Sequence, residues 1–338
     1  MLSDLRLSIV AELIKDHVAL DGIDGYCQET GVQCFDFIPI EPADFQGRIL
    51  AIDGSNVSIC GWSVASINLI RSGYVVYQGR DWKRTVITFN DIFFADPAIS
   101  ADQFEPHLRR LGQNQIRLAE EDLDRLSTYF RELQEYVSID DAITEANPGD
   151  IILYDGSFDV FEPLRAALSR VFERAEEKGV ALLAVAKSSS LYWGEGISLP
   201  FMHHTNQAGR MILPNSPWYL NLKDKKVNRG PGKWGGESYI VRFTGRSDHA
   251  FRVDVPAYLA GRIEQTLAGI SYYSTSAECS GYPHALFRAH RDIKIAENEG
   301  ISLRMKLRDM LCREGLSPSQ ITMLMQDYHD ILEMHQRI

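Results

Sequence analysis

Short apolar runs separated by polar turn residues predict a sheet with helices packed against it. Residues 49–52 and 151–154 are continuous apolar runs, too short for helices, and they predict strands buried on both faces. Residues 58–94 contain several β-rich runs separated by Gly73 and Gly79, which predict antiparallel strands following the first one. A sheet with both kinds of pairing is a mixed sheet. The expected fold class is therefore α/β.

Helical periodicity appears in three longer segments. Residues 1 to about 22 and about 106–137 carry apolar residues three and four positions apart, and each predicts an amphipathic helix. Residues 161–178 predict a third such helix, with Gly179 as its C-terminal cap, followed by a buried strand over 180–186. A strand, helix, strand series of this length is typical of a right-handed crossover, which places both strand ends at one edge of the sheet.

The C-terminal part of the chain predicts a pair of helices. The first covers residues 301–314 and is stopped by Gly315, and the second begins with Ser317 as N-cap, Pro318 and Gln320. The domain division expected from these patterns has three parts. They are an N-terminal helix and irregular lead-in (1–47), a main domain (48–298) and a helical hairpin (299–338).

One short motif occurs twice. RILAIDGSN at residues 48–56 and DIILYDGSF at 150–158 each deliver an Asp, a Gly and a Ser at the end of an apolar run. If each Asp lies where a buried strand ends, Asp53 and Asp155 project from rigid positions at one sheet edge, where two carboxylates can share a divalent cation. Taken singly, Asp-Gly-Ser is also ordinary turn chemistry. The repetition favours a paired site.

Two further residues are placed near this edge by the same patterns. Glu120 lies about 90° from the centre of the apolar stripe of the predicted helix, so it can reach the sheet, whereas Glu121 points nearly opposite and faces water. Lys187 follows the strand over 180–186 and is expected near Asp155, where it would contact a phosphate. The competing interpretation for all three is a solvated charge.

A basic segment stands out from an otherwise acidic chain. Residues 223–236, KDKKVNRGPGKWGG, are the best candidate for a contact to a nucleic-acid backbone, with a tryptophan available for base stacking. The candidate contact residues are Lys225, Lys226, Arg229, Lys233 and Trp234. A solvated hairpin tip is the alternative.

Composition narrows the classes of function. The chain has 338 residues, 45% hydrophobic and 24% charged, with a net charge of −11, so contact with nucleic acid must be local. Its five cysteines lack a C-x-x-C spacing and predict a reducing, cytoplasmic location without structural zinc. No apolar run is long enough to span a bilayer, so no membrane partner is expected.

Five motifs in this order resemble one known family. AIDGS, a helix with R-x-x-E-E, ILYDGS, VAKSSS and GYPHALFRAH, spread over residues 48–295, are similar to those of the NurA nucleases. The resemblance implies a ribonuclease H-like core and a manganese-dependent nuclease that acts on DNA ends. It also implies a homodimer and a partnership with a HerA-type hexameric ATPase.

The resemblance also implies roles for residues. It places metal-binding carboxylates at Asp53 and Asp155 and a third acid at Glu120 or Glu121. It adds Tyr282 and His290 to the same site, His290 as a ligand or as the group that handles protons. On the residues alone, a single histidine on a helix is more often a packed structural residue. Carboxylate and imidazole ligands together suit Mn²⁺ better than Mg²⁺, which remains the second candidate.

The resulting hypothesis is a metal-dependent DNA nuclease, a 5′-3′ exonuclease with single-strand endonuclease activity, in DNA repair or anti-phage defence. The alternative is a non-catalytic DNA-end clamp or adaptor of the same fold that recruits an ATPase. A clamp has no need of three acids at one edge. A transposase or recombinase is the third hypothesis. Such an enzyme would carry a domain that reads DNA sequence. The one candidate is the C-terminal hairpin, whose linker GLSPS is only a weak helix-turn-helix signal.

Overall fold

The protein is described from a computed structural model. It describes residues 6–12, 15, 23–62, 65–96, 98–118, 125–159, 161–187, 189–194, 199–228, 236–279 and 281–325. The chain divides into two compact units. Unit 1 contains Met1–Phe45, Gly156–Asp159 and Leu183–His284, and unit 2 contains Gln46–Asp155, Val160–Leu182 and Ala285–Ile338. Within the described residues, no helix has the length and apolarity needed to cross a bilayer.

Unit 2 is built from long strands and helices. Its strands are β2 (Arg48–Trp62), β3 (Ala65–Gln78), β4 (Asp81–Ala95) and β5 (Ile151–Asp155). Its helices are α3 (Ser100–Arg110), α4 (Leu126–Glu145), a 3-10 turn at Glu162–Leu164, α5 (Arg165–Lys178), α8 (His284–Ile293, from Ala285 on), α9 (Glu297–Arg313) and α10 (Pro318–Met325).

The sheet of unit 2 has the strand order β5-β2-β3-β4. β5 runs parallel to β2, whereas β3 pairs with both β2 and β4 in the antiparallel sense. The expected mixed sheet is thus present. The expectation that the first strand ends at Asp53 is wrong, because β2 continues for another nine residues to Trp62. Its polar stretch is held in the sheet by a long pairing with β3.

The central helix of unit 2 is α4, which lies against β2, β3 and β4. Its buried positions include Leu126, Phe130 and Leu133, which belong to the stripe seen in the sequence. The expectation of one helix over about 106–137 is wrong, since α3 ends at Arg110 and residues 113–118 are not helical. Gly112, with φ of +75°, reverses the chain after α3.

The C-terminal part of unit 2 agrees with the expected helical hairpin over the described residues. α9 is followed by Gly315 at φ +95°. Ser317 caps α10, because its Oγ accepts a hydrogen bond from the backbone N–H of Gln320 (3.3 Å). Leu303 and Leu307 of α9 pack against a small buried cluster that includes Ile59 of β2. Residues 326–338, the rest of the second predicted helix, lie outside the described residues.

The strands of unit 1 that pair with one another do so in the antiparallel sense, in the order Ile38–Pro39, Trp218–Asn221, Glu237–Arg242, Phe251–Val255 and Ala181–Ala186. Its strands are β1 (Ile38–Pro39), β6 (Ala181–Ala186, from Leu183 on), β9 (Trp218–Asn221), β10 (Glu237–Arg242) and β11 (Phe251–Val255), with a small separate pair β7 (Tyr192–Trp193) and β8 (Leu199–Pro200). Its helices are α1 (residues 6–12), α2 (Ile23–Thr30), α6 (Phe201–Ile212) and α7 (Ile263–Tyr272), with 3-10 turns at Cys34–Asp36, Ala257–Arg262 and Ala277–Cys279.

Candidate metal centre

Two neighbouring parallel strands bring Asp53 and Asp155 together. The register pairs Ile49 with Ile151 and continues to Ile52 and Tyr154, so the next residue on each strand is the aspartate. β5 ends at Asp155, whereas β2 continues without its parallel neighbour. Asp53 therefore lies at the edge that the end of β5 creates, although it is in the middle of its own strand.

The register of this strand pair is fixed at the opposite end by an ion pair. Arg48, at the start of β2, forms a salt bridge with Asp150, which immediately precedes β5, at 2.9 Å. The same carboxylate accepts hydrogen bonds from the Arg48 amide (2.8 Å) and from the Asn147 amide (2.8 Å). Asp53 lies five residues after Arg48, and Asp155 lies five residues after Asp150. This ion pair, here called the Arg48–Asp150 clamp, therefore places the two aspartates at the same level.

The third member of the centre comes from α8. Nδ1 of His290 lies 2.9 Å from Oδ2 of Asp53, which is hydrogen-bond distance. The segment just after α8 is tied to the same strand, because the backbone amide of Ile295 donates a hydrogen bond to Oγ of Ser55 (3.1 Å). One ligand atom from each of Asp53, Asp155 and His290 lies within 4.8 Å of the other two. These three atoms can face one cation.

A further acid lies against the strand from the helix side. Glu135 of α4 is fully buried, and a Cβ on Gly54 would lie only 2.3 Å from its Oε1. Glycine at this position therefore admits the carboxylate to the sheet next to Asp53. Its second oxygen, Oε2, accepts a hydrogen bond from the hydroxyl of Tyr154 (2.7 Å), and Arg131 forms an ion pair with Oε1.

Burial dominates the electrostatics of Glu135. Loss of hydration raises its pKa to about 7, and the negative charge of Asp53 acts in the same direction. Arg131 and the Tyr154 hydroxyl oppose this shift because both favour the carboxylate. Glu135 therefore changes its protonation state near neutral pH when no metal is bound.

Sequence reasoning missed Glu135 and selected Glu120 instead. Glu120 and Glu121 lie outside the described residues, so their predicted roles stay predictions. Arg131 and Glu135 stand four residues apart, a spacing that is typical of a solvated ion pair on a helix surface. The one signal in the sequence that Glu135 is buried was the uncharged run that follows it, YVSI (136–139). Such a run indicates a helix buried on more than one side.

Lys187 and Tyr282 belong to unit 1. Lys187 follows β6 directly, and its Nζ lies 5.5 Å from the centroid of the Tyr282 ring, a cation–π distance. The Tyr282 ring is buried and also lies near Phe251, at 5.2 Å between centroids. Their predicted roles in the chemistry of Asp53 and Asp155 stay predictions.

The basic segment is described only in part. Nζ of Lys225 lies 2.5 Å from Oδ2 of Asp36, and the lysine side chain is only 14% exposed, so its charge is already paired. Lys226 is exposed. Arg229, Lys233 and Trp234 lie outside the described residues, and the predicted contacts of the segment with nucleic acid stay predictions.

The donor set of the centre suits a hard or borderline divalent cation. Two carboxylates and one imidazole, with a further carboxylate beside them, are ligands that Mn²⁺ accepts and that Mg²⁺ accepts less readily because of the nitrogen. The His290 side chain is 48% exposed, whereas that of Asp53 is 8% exposed, so the centre is open on the histidine side.

The fold is that of known nuclease structures. A NurA nuclease from Sulfolobus solfataricus matches with a TM-score of 0.54 at 14% identity over 92% of this chain and 98% of that one. A second NurA structure matches with a TM-score of 0.57 at 11% identity, over 96% of this chain and 100% of that one. A NurA structure with manganese gives 0.50 at 9% identity, over 91% and 97%.

The resemblance indicated by the sequence motifs is thus confirmed for the fold, and the expected mixed sheet with flanking helices is present. No protein-family model matches the sequence, and no curated protein matches it either.

Proposed function

We propose that this protein is a metal-dependent DNA nuclease that hydrolyses phosphodiester bonds at the centre formed by Asp53, Asp155 and His290. The observation that carries the proposal is the convergence of their ligand atoms within 4.8 Å of one another. Three distant parts of the sequence contribute to this cluster, at a sheet edge in a fold shared with NurA nucleases.

Divalent cations at such a centre supply an activated water and neutralise charge on the phosphate and on the leaving oxygen. The chain's own residues supply the positions. Asp53 and Asp155 would hold a cation at the strand edge, where the parallel register keeps the two residues from moving independently. His290 is oriented by its hydrogen bond with Asp53, and its exposed side is available to a ligand or a proton.

We propose Glu135 as a further acid of the centre, beside the predicted Glu120, which lies outside the described residues. Glu135 lies beside Asp53 over Gly54, and its pKa near 7 lets it accept a proton at neutral pH. Arg131 pairs with one of its oxygens and the Tyr154 hydroxyl donates to the other. These contacts and its full burial fix the orientation of the carboxylate.

The finer parts of the proposal concern the ion, the substrate and the partners. Mn²⁺ is the proposed ion, supported by the mixed oxygen and nitrogen donors and by the similarity to a NurA structure with manganese. The proposed activity is 5′-3′ exonuclease with single-strand endonuclease, in repair or defence. A HerA-type hexameric ATPase and a second copy of the chain are the proposed partners, on the ground of the sequence motifs.

A non-catalytic DNA clamp of the same fold is the competing function. The position of Glu135 argues against a clamp. Burying a carboxylate next to Asp53 destabilises the fold, and DNA binding without catalysis gives no reason to keep it there. A cation that binds both acids would offset that cost, as expected at a catalytic centre.

The decisive experiment measures degradation of end-labelled single- and double-stranded DNA with Mn²⁺, Mg²⁺ or EDTA. We expect Asp53→Asn and Asp155→Asn each to lower the rate at least about 100-fold. Asp309→Asn, an exposed position on α9, is the matched control and should act like the unchanged chain. Circular dichroism shows whether each variant is folded. Full activity of a folded double variant, Asp53→Asn with Asp155→Asn, would refute the proposal that this centre cleaves DNA.

A further inference from the structure

The outer edge of β4 is open. β4 (Asp81–Ala95) is the last strand in the sheet order, and among the described strands it pairs with β3 alone. Near its end the edge is closed, because the Gln103 side chain bonds to the amide and the carbonyl oxygen of Phe94 (3.0 and 2.7 Å). In the described part of the chain, the edge before Phe94 meets no other strand. Such an edge is a template for a further strand.

Three large apolar side chains of β4 are exposed. Trp82, Ile87 and Ile92 are 44%, 44% and 45% exposed, and Trp82 keeps this exposure although Arg288 lies 4.4 Å from its ring centroid. Their partners on β3, four residues apart, are Tyr77, Gly73 and Leu69. Because alternate residues of a strand face the same side, the three apolar side chains lie on one face of the sheet, with Ile87 halfway between the other two.

This spacing makes the edge complementary to itself. If a second β4 pairs with it in the antiparallel sense about a two-fold axis at Ile87, each Ile87 meets its own copy. Trp82 then meets Ile92 of the other chain, in two places. Apolar pairs directly across two strands stabilise a sheet, and their burial removes apolar surface from water.

Charges on the opposite face follow the same symmetry. Arg84 and Asp91 lie three rows on either side of Ile87, because their partners on β3 are Val76 and Ile70. Both charged residues are exposed, the Arg84 side chain by 55%. About the same axis, Arg84 of one chain faces Asp91 of the other. Opposite charges directly across a strand pair favour this register over others.

We propose that β4 is the interface between two copies of this chain, which join edge to edge in an antiparallel pairing centred on Ile87. A second copy is the occupant because the apolar rows and the opposite charges coincide in one and the same register. The pairing extends from Trp82 to Ile92 in each chain, short of the closed end at Phe94.

The pairing also sets the distance between two metal centres. Asp53 pairs with Gly73, and Gly73 pairs with Ile87, so Asp53 lies in the row that contains the axis. The two copies of Asp53 are then on the same face of the joined sheet and five strand spacings apart, about 24 Å. Each centre can attack one strand of the same DNA duplex, a consequence that rests on the proposed function.

Analytical ultracentrifugation of the full chain in EDTA tests the interface without metal or DNA. We expect a monomer–dimer equilibrium that depends on protein concentration. Ile87→Lys should raise the Kd of the dimer at least about 10-fold, since two ammonium groups meet at the axis. Ile301→Lys, at an isoleucine of α9 that is 53% exposed, is the matched control. A chain that stays monomeric, or a dimer that Ile87→Lys leaves unchanged, would overturn the proposal.

Charge reversal tests the register. Asp91→Arg should weaken the dimer at least about 10-fold, because Arg84 then faces a second arginine. The double variant Arg84→Asp with Asp91→Arg should restore dimerisation. Arg84 also pairs with Glu145, so urea denaturation measures the local effect of each change. A folded double variant that dimerises as weakly as Asp91→Arg overturns the pairing centred on Ile87.

A cysteine on the axis gives a covalent test. The background carries Cys34→Ser and Cys312→Ser, which remove the two exposed native thiols. Only a residue on the axis lies directly opposite its own copy, at a distance that a disulfide can bridge. We expect Ile87→Cys to form a disulfide-linked dimer under mild oxidation and Ile92→Cys to stay reduced. Equal cross-linking of both variants, or of neither, contradicts the proposed axis.

Cleavage assays separate this proposal from the nuclease itself. An unchanged chain that dimerises through β4 but does not cleave DNA refutes the nuclease and leaves the interface in place. An unchanged chain that cleaves DNA as a monomer at every concentration refutes the interface and leaves the nuclease in place.

Discussion

The carboxylate of Glu135 occupies the space that a side chain on Gly54 would fill. The Cβ of an alanine there would lie 2.3 Å from Oε1 and 2.7 Å from Cγ of Glu135. These distances are well below van der Waals contact. Glycine is thus needed at position 54 because it leaves room for the Glu135 carboxylate beside the strand. It is not needed for backbone conformation, since the φ of Gly54 is outside the left-handed region.

Gly54→Ala should therefore damage the centre. Glu135 is fully buried and tied to Arg131 and Tyr154, so it has no free direction in which to move. We expect a loss of about 1–3 kcal/mol in the free energy of unfolding, as for overpacked cores, and a large loss of Mn²⁺-dependent cleavage. Urea denaturation and the DNA assay measure the two effects.

The control for this substitution is on the same strand. Gly61→Ala places its Cβ 3.3 Å from the Cβ of Ser66, a contact that a small shift relieves, so it should change stability by less than about 1 kcal/mol. If Gly54→Ala is as stable and as active as Gly61→Ala, the carboxylate of Glu135 is not confined at the strand.

Glu135 should also make stability depend on pH in a direction opposite to that of ordinary paired acids. Burial raises its pKa from 4.5 to about 7, so the folded chain holds this proton more tightly than the unfolded chain does. The stability from the protonated form is fully present below about pH 4.5 and is lost as the pH rises through 7. The loss is on the order of 3 kcal/mol.

Urea denaturation in EDTA from pH 4.5 to 8 measures this loss as a difference between the unchanged chain and Glu135→Gln. The difference removes the contribution of every other titrating group. We expect the unchanged chain to lose stability relative to Glu135→Gln as the pH rises. Parallel pH profiles for the two chains would show that Glu135 does not titrate in this range.

Ser55, the third residue of the same motif, should act through the position of His290. Its Oγ accepts a hydrogen bond from the amide of Ile295, five residues after the histidine. Ser55→Ala removes this tie at a cost of about 0.5–1.5 kcal/mol and should weaken Mn²⁺ binding several-fold. Ser58→Ala, at an exposed position on the same strand, is the control for both measurements. Unchanged Mn²⁺ affinity in Ser55→Ala would separate the serine from the metal centre.

The sequence predicted the two aspartates because their signal is local. Each stands after a buried apolar run, and the parallel register of the two strands brings the two residues to one level. It did not predict that β2 continues to Trp62, since residues 54–58 are polar and contain a glycine. Their strand conformation is stabilised by the long-range pairing with β3, which no local pattern encodes.

Glu135 was missed for a related reason. Four-residue spacing to Arg131 resembles a surface ion pair, and only the tertiary structure shows that α4 is covered by three strands. The apolar stripe that selected Glu120 also joined two separate elements into one helix, because Gly112 ends α3 in the left-handed conformation. Periodicity continued across the break and gave no sign of it.

The Arg48–Asp150 clamp offers a test of how strand register controls the centre. Asp150 is buried, and its carboxylate binds the Arg48 guanidinium at 2.9 Å as well as two backbone amides. Asp150→Ala leaves a partly buried guanidinium and two amides without this partner, so we expect a loss of about 3 kcal/mol in the free energy of unfolding. Asp81→Ala, where the acid side chain is 77% exposed, should lose less than about 1 kcal/mol.

The effect on the metal centre is the more informative result. Asp53 and Asp155 each lie five residues beyond the clamp, on strands joined in parallel by four register pairs. If the clamp fixes their relative level, Asp150→Ala should weaken Mn²⁺ binding as well as stability, and calorimetric titration under conditions where the variant is fully folded measures this directly. A folded Asp150→Ala chain with undiminished Mn²⁺ affinity would show that the hydrogen bonds of the sheet alone hold the two aspartates level.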